Sequence, residues 1–137
     1  AENAFSMLSL LPIERFYAID PYAPYVQNGE KLDYSEQESE ARKKLKPFKG
    51  KVIWLKLPSQ EAANFIHEEL DFIYIDGNHQ YEYVKADLEL YYQKMADGGV
   101  MGGHDIQFPG VERAVKEFAV KHCKKVYSAV ADWWIIK

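Results

Sequence analysis

The sequence of 137 residues is 47% hydrophobic, which fits one globular domain with an ordinary core, and we expect a single domain over residues 1–137. Its formal net charge of −4 gives no overall positive field to collect phosphates, so we expect no nucleic-acid partner. One cysteine leaves no pair for a disulfide within this sequence, and no apolar run approaches the roughly 20 residues of a membrane span. We therefore expect a cytoplasmic protein without membrane contact.

Helices and strands are predicted to alternate along the first part of the chain. Apolar residues at helical spacing before Pro12 predict an opening helix, and the apolar run at residues 15–20 predicts a strand that Pro21 stops. The polar stretch 35–46 predicts a solvent-facing helix. Residues 51–57 then read as a strand and residues 59–70 as a helix.

The alternation continues in the second part of the chain. Strands are predicted at residues 71–77 and 99–105, with helices after them at about 81–95 and 111–122. Two final strands, at 124–130 and 132–137, flank a short turn and form an antiparallel pair. This order is typical of an α/β fold in which helices cover both faces of a mostly parallel sheet.

Polar residues cluster where the predicted strands end. Asp20 ends the first strand, Asp76 with His79 follows the third, and His104 with Asp105 ends the fourth. Because ligands of open parallel sheets bind beyond the carboxyl ends of the strands, these side chains are the best candidates for a functional site.

Asp76, His104 and Asp105 are a candidate metal-ligand set, since two carboxylates and an imidazole suit a divalent cation. The alternative for Asp76 and Asp105 is that each caps the helix that follows it. His79, at the start of a helix, is a candidate general base, with a surface or capping role as its alternative.

Asp20 and the "LPSQEA" segment are candidates for nucleotide contacts. An acidic residue at a strand end can accept hydrogen bonds from ribose hydroxyls, although Asp20 before Pro21 also fits a simple turn. Ser59 and Gln60 could face an adenine edge or cap the next helix. The glycines of "GGVMGG" match no Walker or dinucleotide fingerprint, which argues against kinases and ordinary dehydrogenases.

The stretch "DFIYIDGNHQYEYVKADLELYYQKMADGGVMGGHDI", followed by "PGVERAVKEF", resembles the class I S-adenosylmethionine-dependent methyltransferases, in particular metal-dependent small-molecule O-methyltransferases. The resemblance implies a Rossmann-like, three-layer α/β sandwich with a mostly parallel sheet, an antiparallel C-terminal strand and the strand order 3-2-1-4-5-7-6. The family's first strand and glycine-rich loop have no counterpart here, so we expect an N-terminally truncated, partial domain. The gap would be filled by an upstream segment or a partner chain, or closed by direct pairing of strands two and four.

The resemblance also implies roles for the candidate residues. Asp20, Ser59 and Gln60 would bind S-adenosylmethionine, with Asp76 assigned to the donor side as well. Asp76, His104 and Asp105 would hold Mg²⁺ or another divalent metal, and His79 would take the proton of the acceptor hydroxyl. The acceptor would be a sugar, phenol or polyketide-like small molecule.

Two other functions stay open at this point. A truncated module could be catalytically silent and serve in oligomerisation or binding, and a metal-dependent hydroxylase or hydrolase could use the same scaffold and the same ligands. The C-terminal "DWWIIK" and the many tyrosines favour self-association, so we expect a homodimer.

Overall fold

The computed structural model describes residues 1–27, 30–32 and 35–137. The chain divides into two compact units, Ala1–Ala62 and Ala63–Lys137. Each unit has its own sheet strands and helices, as set out below. Within the described residues, no helix is both long enough and apolar enough to cross a bilayer.

The first unit combines helices, a parallel strand pair and a small hairpin. Its elements are α1 (Glu2–Leu10), β1 (Phe16–Ile19), β2 (Tyr25–Gln27), β3 (Glu30–Leu32), α2 (Ser35–Lys44), a 3₁₀ helix (Lys46–Phe48), β4 (Val52–Leu55) and α3 (Ser59–Ala62). Strands β1 and β4 are parallel, in register from Phe16 opposite Val52 to Ile19 opposite Leu55. The antiparallel β2–β3 hairpin lies in a stretch for which the sequence analysis predicted no strand.

The core of the first unit joins α1, the segment after α2, and β4. Leu8, Leu45 and Val52 are buried together, with Phe5 and Trp54 among the partly buried residues packed on them. Because Phe5 and Leu8 are three residues apart, both lie on the same face of α1, as the helical spacing predicted. Packing of this face holds α1 in place.

The second unit is a four-stranded sheet with two long helices. Its elements are a 3₁₀ helix (Ala63–Phe65), β5 (Leu70–Ile75), α4 (Tyr81–Tyr92), β6 (Met95–Gly103), α5 (Pro109–Lys121), β7 (Tyr127–Ala129) and β8 (Asp132–Ile136). The strand order is β5-β6-β8-β7. Strands β5 and β6 are parallel, whereas β8 runs antiparallel to both β6 and β7.

The strand orders of the two sheets match the order that the resemblance implied. The β4–β1 pair corresponds to positions 3-2, and β5-β6-β8-β7 corresponds to positions 4-5-7-6. The mixed α/β architecture and the antiparallel C-terminal strands are therefore confirmed.

Helices α4 and α5 pack through apolar stripes. In α5 the buried residues recur at the three- and four-residue spacing of one helix face: Val111, Ala114, Val115, Phe118 and Ala119. In α4 the buried residues Val84, Leu88 and Tyr91 follow the same spacing. These two helices thereby fix the loops that lead into them from the ends of β5 and β6.

Glycine at the end of β6 permits close packing around a buried tryptophan. A Cβ atom on Gly103 would meet the carbonyl oxygen of Ile75 and would lie 2.7 Å from the indole of Trp133. Trp133 is only 1% exposed. A side chain larger than hydrogen at position 103 would therefore force the β5 backbone or the indole to shift.

The helix predicted over residues 59–70 is wrong in its length. The helical region comprises α3 and the 3₁₀ turn Ala63–Phe65, and Leu70 already begins β5. The carbonyl oxygen of Ile66 accepts a hydrogen bond from Lys94 Nζ at 2.9 Å. This tertiary contact satisfies a backbone group that a longer helix would have used, so tertiary structure overrides the local helix propensity.

Candidate active site

Three predicted site residues meet at the carboxyl ends of β5 and β6. Asp76 directly follows β5, and His104 and Asp105 directly follow β6. The two strands are parallel neighbours with Ile75 opposite Gly103, so the residues after them leave the sheet side by side. The adjacency predicted for these strand ends is thus present in the structure.

Asp105 links two imidazoles. Its Oδ2 lies 2.8 Å from His79 Nε2, and its Oδ1 lies 3.1 Å from His104 Nδ1. Gln107 Nε2 also donates to Oδ1, at 3.1 Å. The Asp105 carboxylate thereby fixes the positions of side chains that come from both strand ends.

The backbone at Asp105 is in the left-handed region, with a φ of 63°. This conformation costs an L-residue about 1–2 kcal/mol, so it persists only where surrounding contacts impose it. Here Phe108 N donates to the Asp105 carbonyl at 3.0 Å, and Ile106 N donates to the carbonyl of Ala131 at 3.1 Å. These backbone bonds hold the turn that presents the carboxylate to the histidines.

His104 is held from its backbone and from its ring. Trp133 Nε1 donates to the His104 carbonyl oxygen at 3.3 Å, and the ring bonds Asp105 as described above. The hydrogen bond to the Asp105 carboxylate raises the pKa of His104, because it favours the protonated imidazole, while partial burial acts in the opposite direction. A metal ion bound at this nitrogen would have to displace that proton.

His79 is positioned on its face as well as at its Nε2. Its ring stacks on Phe108, with centroids 4.5 Å apart and an angle of 19° between the ring planes. Gly110, near the start of α5, is so close that a Cβ there would meet the carbonyl oxygen of His79. Before α4, Asn78 Oδ1 accepts a hydrogen bond from Gln80 N at 2.9 Å. The His79 ring therefore has a defined place in the cluster.

The residues of the cluster fit a divalent cation. One ligand atom each from Asp76, His104 and Asp105 all lie within 4.8 Å of one another. Donors around one ion at ~2.1 Å lie roughly 3–4 Å apart, so small side-chain rotations would complete such a set. A cavity of about 10 Å³ touches Asp76, His79, His104 and Asp105, close to the space that one water needs. The two carboxylates suit Mg²⁺ or Mn²⁺, whereas the imidazole is a ligand that ions such as Zn²⁺ or Fe²⁺ prefer, so the set suits a divalent cation without selecting one.

Of the four residues predicted for the methyl donor, Asp20, Ser59 and Gln60 lie in the first unit, whereas Asp76 lies in the second. Asp20 follows β1, and its Oδ1 accepts a hydrogen bond from the backbone N–H of Tyr22 at 2.7 Å. Tyr22 has a φ of 47°, so the turn is tight. The turn role considered for Asp20 is therefore real, and its second carboxylate oxygen is outside this bond. Ser59 and Gln60 form the first turn of α3.

Sequence reasoning missed a tyrosine–aspartate pair near the cluster. Tyr74 OH donates to Asp132 Oδ1 at 2.6 Å, from β5 to the start of β8. Burial and the bond to the Asp132 carboxylate raise the pKa of Tyr74, and Asp76 and Asp105 act in the same direction. Gln107 and Phe108 were likewise not among the predicted site residues. A polar residue and an aromatic residue within three positions of Asp105 were the only available signals.

Comparisons with known proteins agree with this fold. A family profile described as a methyltransferase domain matches residues 3–106. A search of curated proteins by sequence gave no significant match. Among solved structures, a protein of Clostridium thermocellum assigned as an rRNA methylase superposes with a TM-score of 0.69 at 16% identity, covering 98% of this chain and 82% of that one.

Two further structural neighbours are described as methyltransferases. The O-methyltransferase NovP has a TM-score of 0.70 at 13% identity, and the coverage is 97% of this chain and 63% of NovP. The calicheamicin methyltransferase CalS11 has a TM-score of 0.70 at 12% identity, with 93% and 62% covered. The chain thus spans less than two thirds of either enzyme, and at these identities the likeness concerns the fold.

Proposed function

Since the chain belongs to the methyltransferase-domain family, of the class I S-adenosylmethionine-dependent type, we propose that it transfers a methyl group from S-adenosylmethionine to a hydroxyl of a small molecule. The observation that carries the choice of a hydroxyl acceptor is the Asp105 carboxylate between His79 and His104, beside Asp76. A positioned imidazole next to candidate cation ligands is an arrangement that can remove a hydroxyl proton.

His79 is the proposed general base. The acceptor oxygen forms a bond to the methyl carbon while the sulfur–methyl bond breaks, and the sulfur keeps the electron pair and becomes a neutral thioether. The hydroxyl proton passes to the His79 imidazole. Asp105, 2.8 Å from Nε2, orients the ring. Stacking on Phe108 restricts rotation of the ring, so the base is preorganised.

Asp76, His104 and Asp105 are the proposed ligands of a divalent cation, Mg²⁺ being the first candidate. When bound, such a cation lowers the pKa of a hydroxyl oxygen that it contacts. The side chains themselves supply two negative charges and one imidazole nitrogen. Because His104 and Asp105 are adjacent in sequence and already in contact, the set needs little rearrangement.

Asp20, Ser59 and Gln60 are the proposed donor-binding residues of the first unit, and Asp76 keeps its proposed role toward the donor. Support for Asp20 is its place at the carboxyl end of a parallel strand, where one oxygen is fixed by Tyr22 N. A carboxylate fixed in this way can accept hydrogen bonds from vicinal ribose hydroxyls. Ser59 and Gln60 follow the neighbouring strand β4 and would lie beside the adenine.

The acceptor class is proposed from the neighbours. CalS11 is described as a TDP-rhamnose 3′-O-methyltransferase and NovP as an O-methyltransferase. We propose a sugar, phenol or polyketide-like hydroxyl for this chain, with the sugar favoured by the groove described in the next subsection.

Calorimetric titration of S-adenosylmethionine into the chain, with and without Mg²⁺, tests the proposal. Saturable heat is expected for the unchanged chain and for Asp97→Ala, whose carboxylate is on the surface, but not for Asp20→Ala. Circular dichroism of all three proteins confirms that each is folded. Folded protein without saturable heat would refute the proposal and leave the catalytically silent module as the better account.

A further inference from the structure

A groove lies beside the candidate active site, within the second unit. It has a volume of about 450 Å³, inside the range of roughly 300–1,000 Å³ typical of small-molecule sites. Its walls come from the turn after β6, the first two turns of α5 and the region of β7: Ile106, Gln107, Glu112, Lys116, Val126 and Ser128. The roles assigned above use none of these side chains to contact a substrate.

One side chain connects the groove to the Asp105 cluster. Gln107 lines the groove, and its Nε2 donates to Asp105 Oδ1 at 3.1 Å. Ile106, also in the wall, is fixed through its backbone N–H to Ala131. A molecule in this groove therefore lies next to the residues that hold the proposed base, separated from Asp105 by the Gln107 amide.

The lining offers hydrogen-bond donors and acceptors in close succession. Lys116 Nζ and Glu112 Oε1 are 2.6 Å apart, so an ammonium and a carboxylate face the same space. Gln107 and Ser128 can each donate and accept. Ile106 and Val126 supply small aliphatic surfaces, and no aromatic ring is among the described lining residues.

This mixture matches a ligand with several hydroxyl groups. Each hydroxyl donates and accepts at once, so adjacent hydroxyls can pair with a carboxylate and an ammonium held close together. The C–H groups of a saturated ring would contact the aliphatic pair. A planar phenol has fewer polar atoms and gains most from stacking on aromatic rings, which this lining does not offer.

We propose that the groove is the acceptor subsite and takes a polyhydroxylated small molecule of about monosaccharide size. Glu112 and Lys116 bind hydroxyls remote from the reaction, Ser128 binds the outer edge, and Gln107 links the bound molecule to Asp105. This assignment rests on the proposed function and narrows its acceptor class to sugars.

Amide NMR spectra of the whole chain, titrated with methyl α-D-glucopyranoside, test the subsite. Saturable shifts are expected at the amides of Gln107, Glu112 and Ser128. The variant Ser128→Trp fills the groove and should weaken binding at least about tenfold. Val120→Trp is the matched control, since Val120 is 80% exposed on α5 and does not line the groove, and it should bind as the unchanged chain does.

Lys116→Met is a second variant and catechol a second probe, so the test does not depend on Ser128→Trp folding correctly. Lys116→Met removes the ammonium from an exposed position and should also weaken glucoside binding. Shifts that map away from the groove, unchanged binding by Ser128→Trp, or saturable binding of catechol but not glucoside at these amides would each overturn the subsite. Calorimetry with S-adenosylmethionine on the same samples separates the two hypotheses: retained donor binding without glucoside binding refutes the subsite alone, whereas absent donor binding refutes the proposed function.

Discussion

The ends of β1 and β6 both carry predicted site residues, but they hold them in different ways. At the end of β6, the Asp105 carboxylate contacts His79, His104 and Gln107 side chains. At the end of β1, Asp20 accepts a hydrogen bond from the backbone of Tyr22, two residues along the chain. The first carboxylate is oriented by side chains from two strand ends, and the second is oriented by its own turn. We infer that the β6 end is built for chemistry, which needs fixed geometry, and the β1 end for ligand binding.

Both strand ends also contain a non-glycine residue in the left-handed region, Asp105 with φ 63° and Tyr22 with φ 47°. The backbone strain is similar, at about 1–2 kcal/mol for each residue, but the two strained residues have different roles in orienting a carboxylate. At Asp105 the strained residue itself carries the carboxylate that contacts His79 and His104. At Tyr22 the strained residue donates the N–H that fixes the carboxylate of Asp20.

The largest effect on stability is expected from a substitution at Gly103, where the backbone of β6 is closely packed. Gly103→Ala places a methyl group against the Ile75 carbonyl and the Trp133 indole, and the overpacking should cost about 1–3 kcal/mol. Thermal denaturation should show a melting temperature lower by several degrees. Gly50→Ala is the control, because nothing lies within 4 Å of its added Cβ. Equal melting temperatures for both variants would contradict the packing described at Trp133.

The next largest effect is expected on metal affinity, from a substitution of Asp105 at the β6 end. Asp105→Asn keeps the shape of the side chain but removes the charge shared by His79 and His104, so affinity for Mn²⁺ should fall at least about tenfold. Titration calorimetry with Mn²⁺ measures the change. Asp97→Asn, in which the altered side chain is 101% exposed, should leave the affinity as it was. Identical affinities in both variants would remove Asp105 from the ligand set.

A smaller effect is expected from the ring that supports His79. Phe108→Leu removes the stacking at 4.5 Å and should cost about 0.5–1.5 kcal/mol of stability. The His79 ring protons should also lose the upfield shift that an aromatic neighbour causes, which a carbon–proton NMR spectrum detects. Phe65→Leu serves as the comparison, because Phe65 is 57% exposed. If the His79 signals stayed in place in Phe108→Leu, the ring would not be what restrains the imidazole.

The strand ends could be predicted from the sequence, and the contacts between them only in part. Asp76, His104 and Asp105 were recognisable because polar residues follow apolar runs, and parallel strands end at one edge. The His79–Asp105 contact depends on the left-handed backbone conformation at Asp105. No local sequence pattern predicts this conformation for a non-glycine residue. The Tyr74–Asp132 bond joins residues 58 positions apart, so it needs the β5-β6-β8 strand order.

The helix predicted over residues 59–70 was wrong for a comparable reason. Its residues favour a helix locally, but Lys94 Nζ captures the Ile66 carbonyl, and Leu70 N donates to the Lys94 carbonyl at 2.8 Å to begin β5. Interactions with a residue 28 positions away therefore decide where the helix ends. Local helix propensity contains no information about a contact with a residue so distant in sequence.

The smallest effect on stability is expected at the β1 end. Asp20→Ala removes one exposed side-chain hydrogen bond to the Tyr22 N–H, and water can replace that bond, so stability should fall by no more than about 1 kcal/mol. Chemical denaturation of the variant beside the unchanged chain measures this difference. If the β1 end serves ligand binding, this nearly neutral change in stability must accompany a complete loss of S-adenosylmethionine binding. A large loss of stability would instead make Asp20 a structural residue, and the contrast between the two strand ends would disappear.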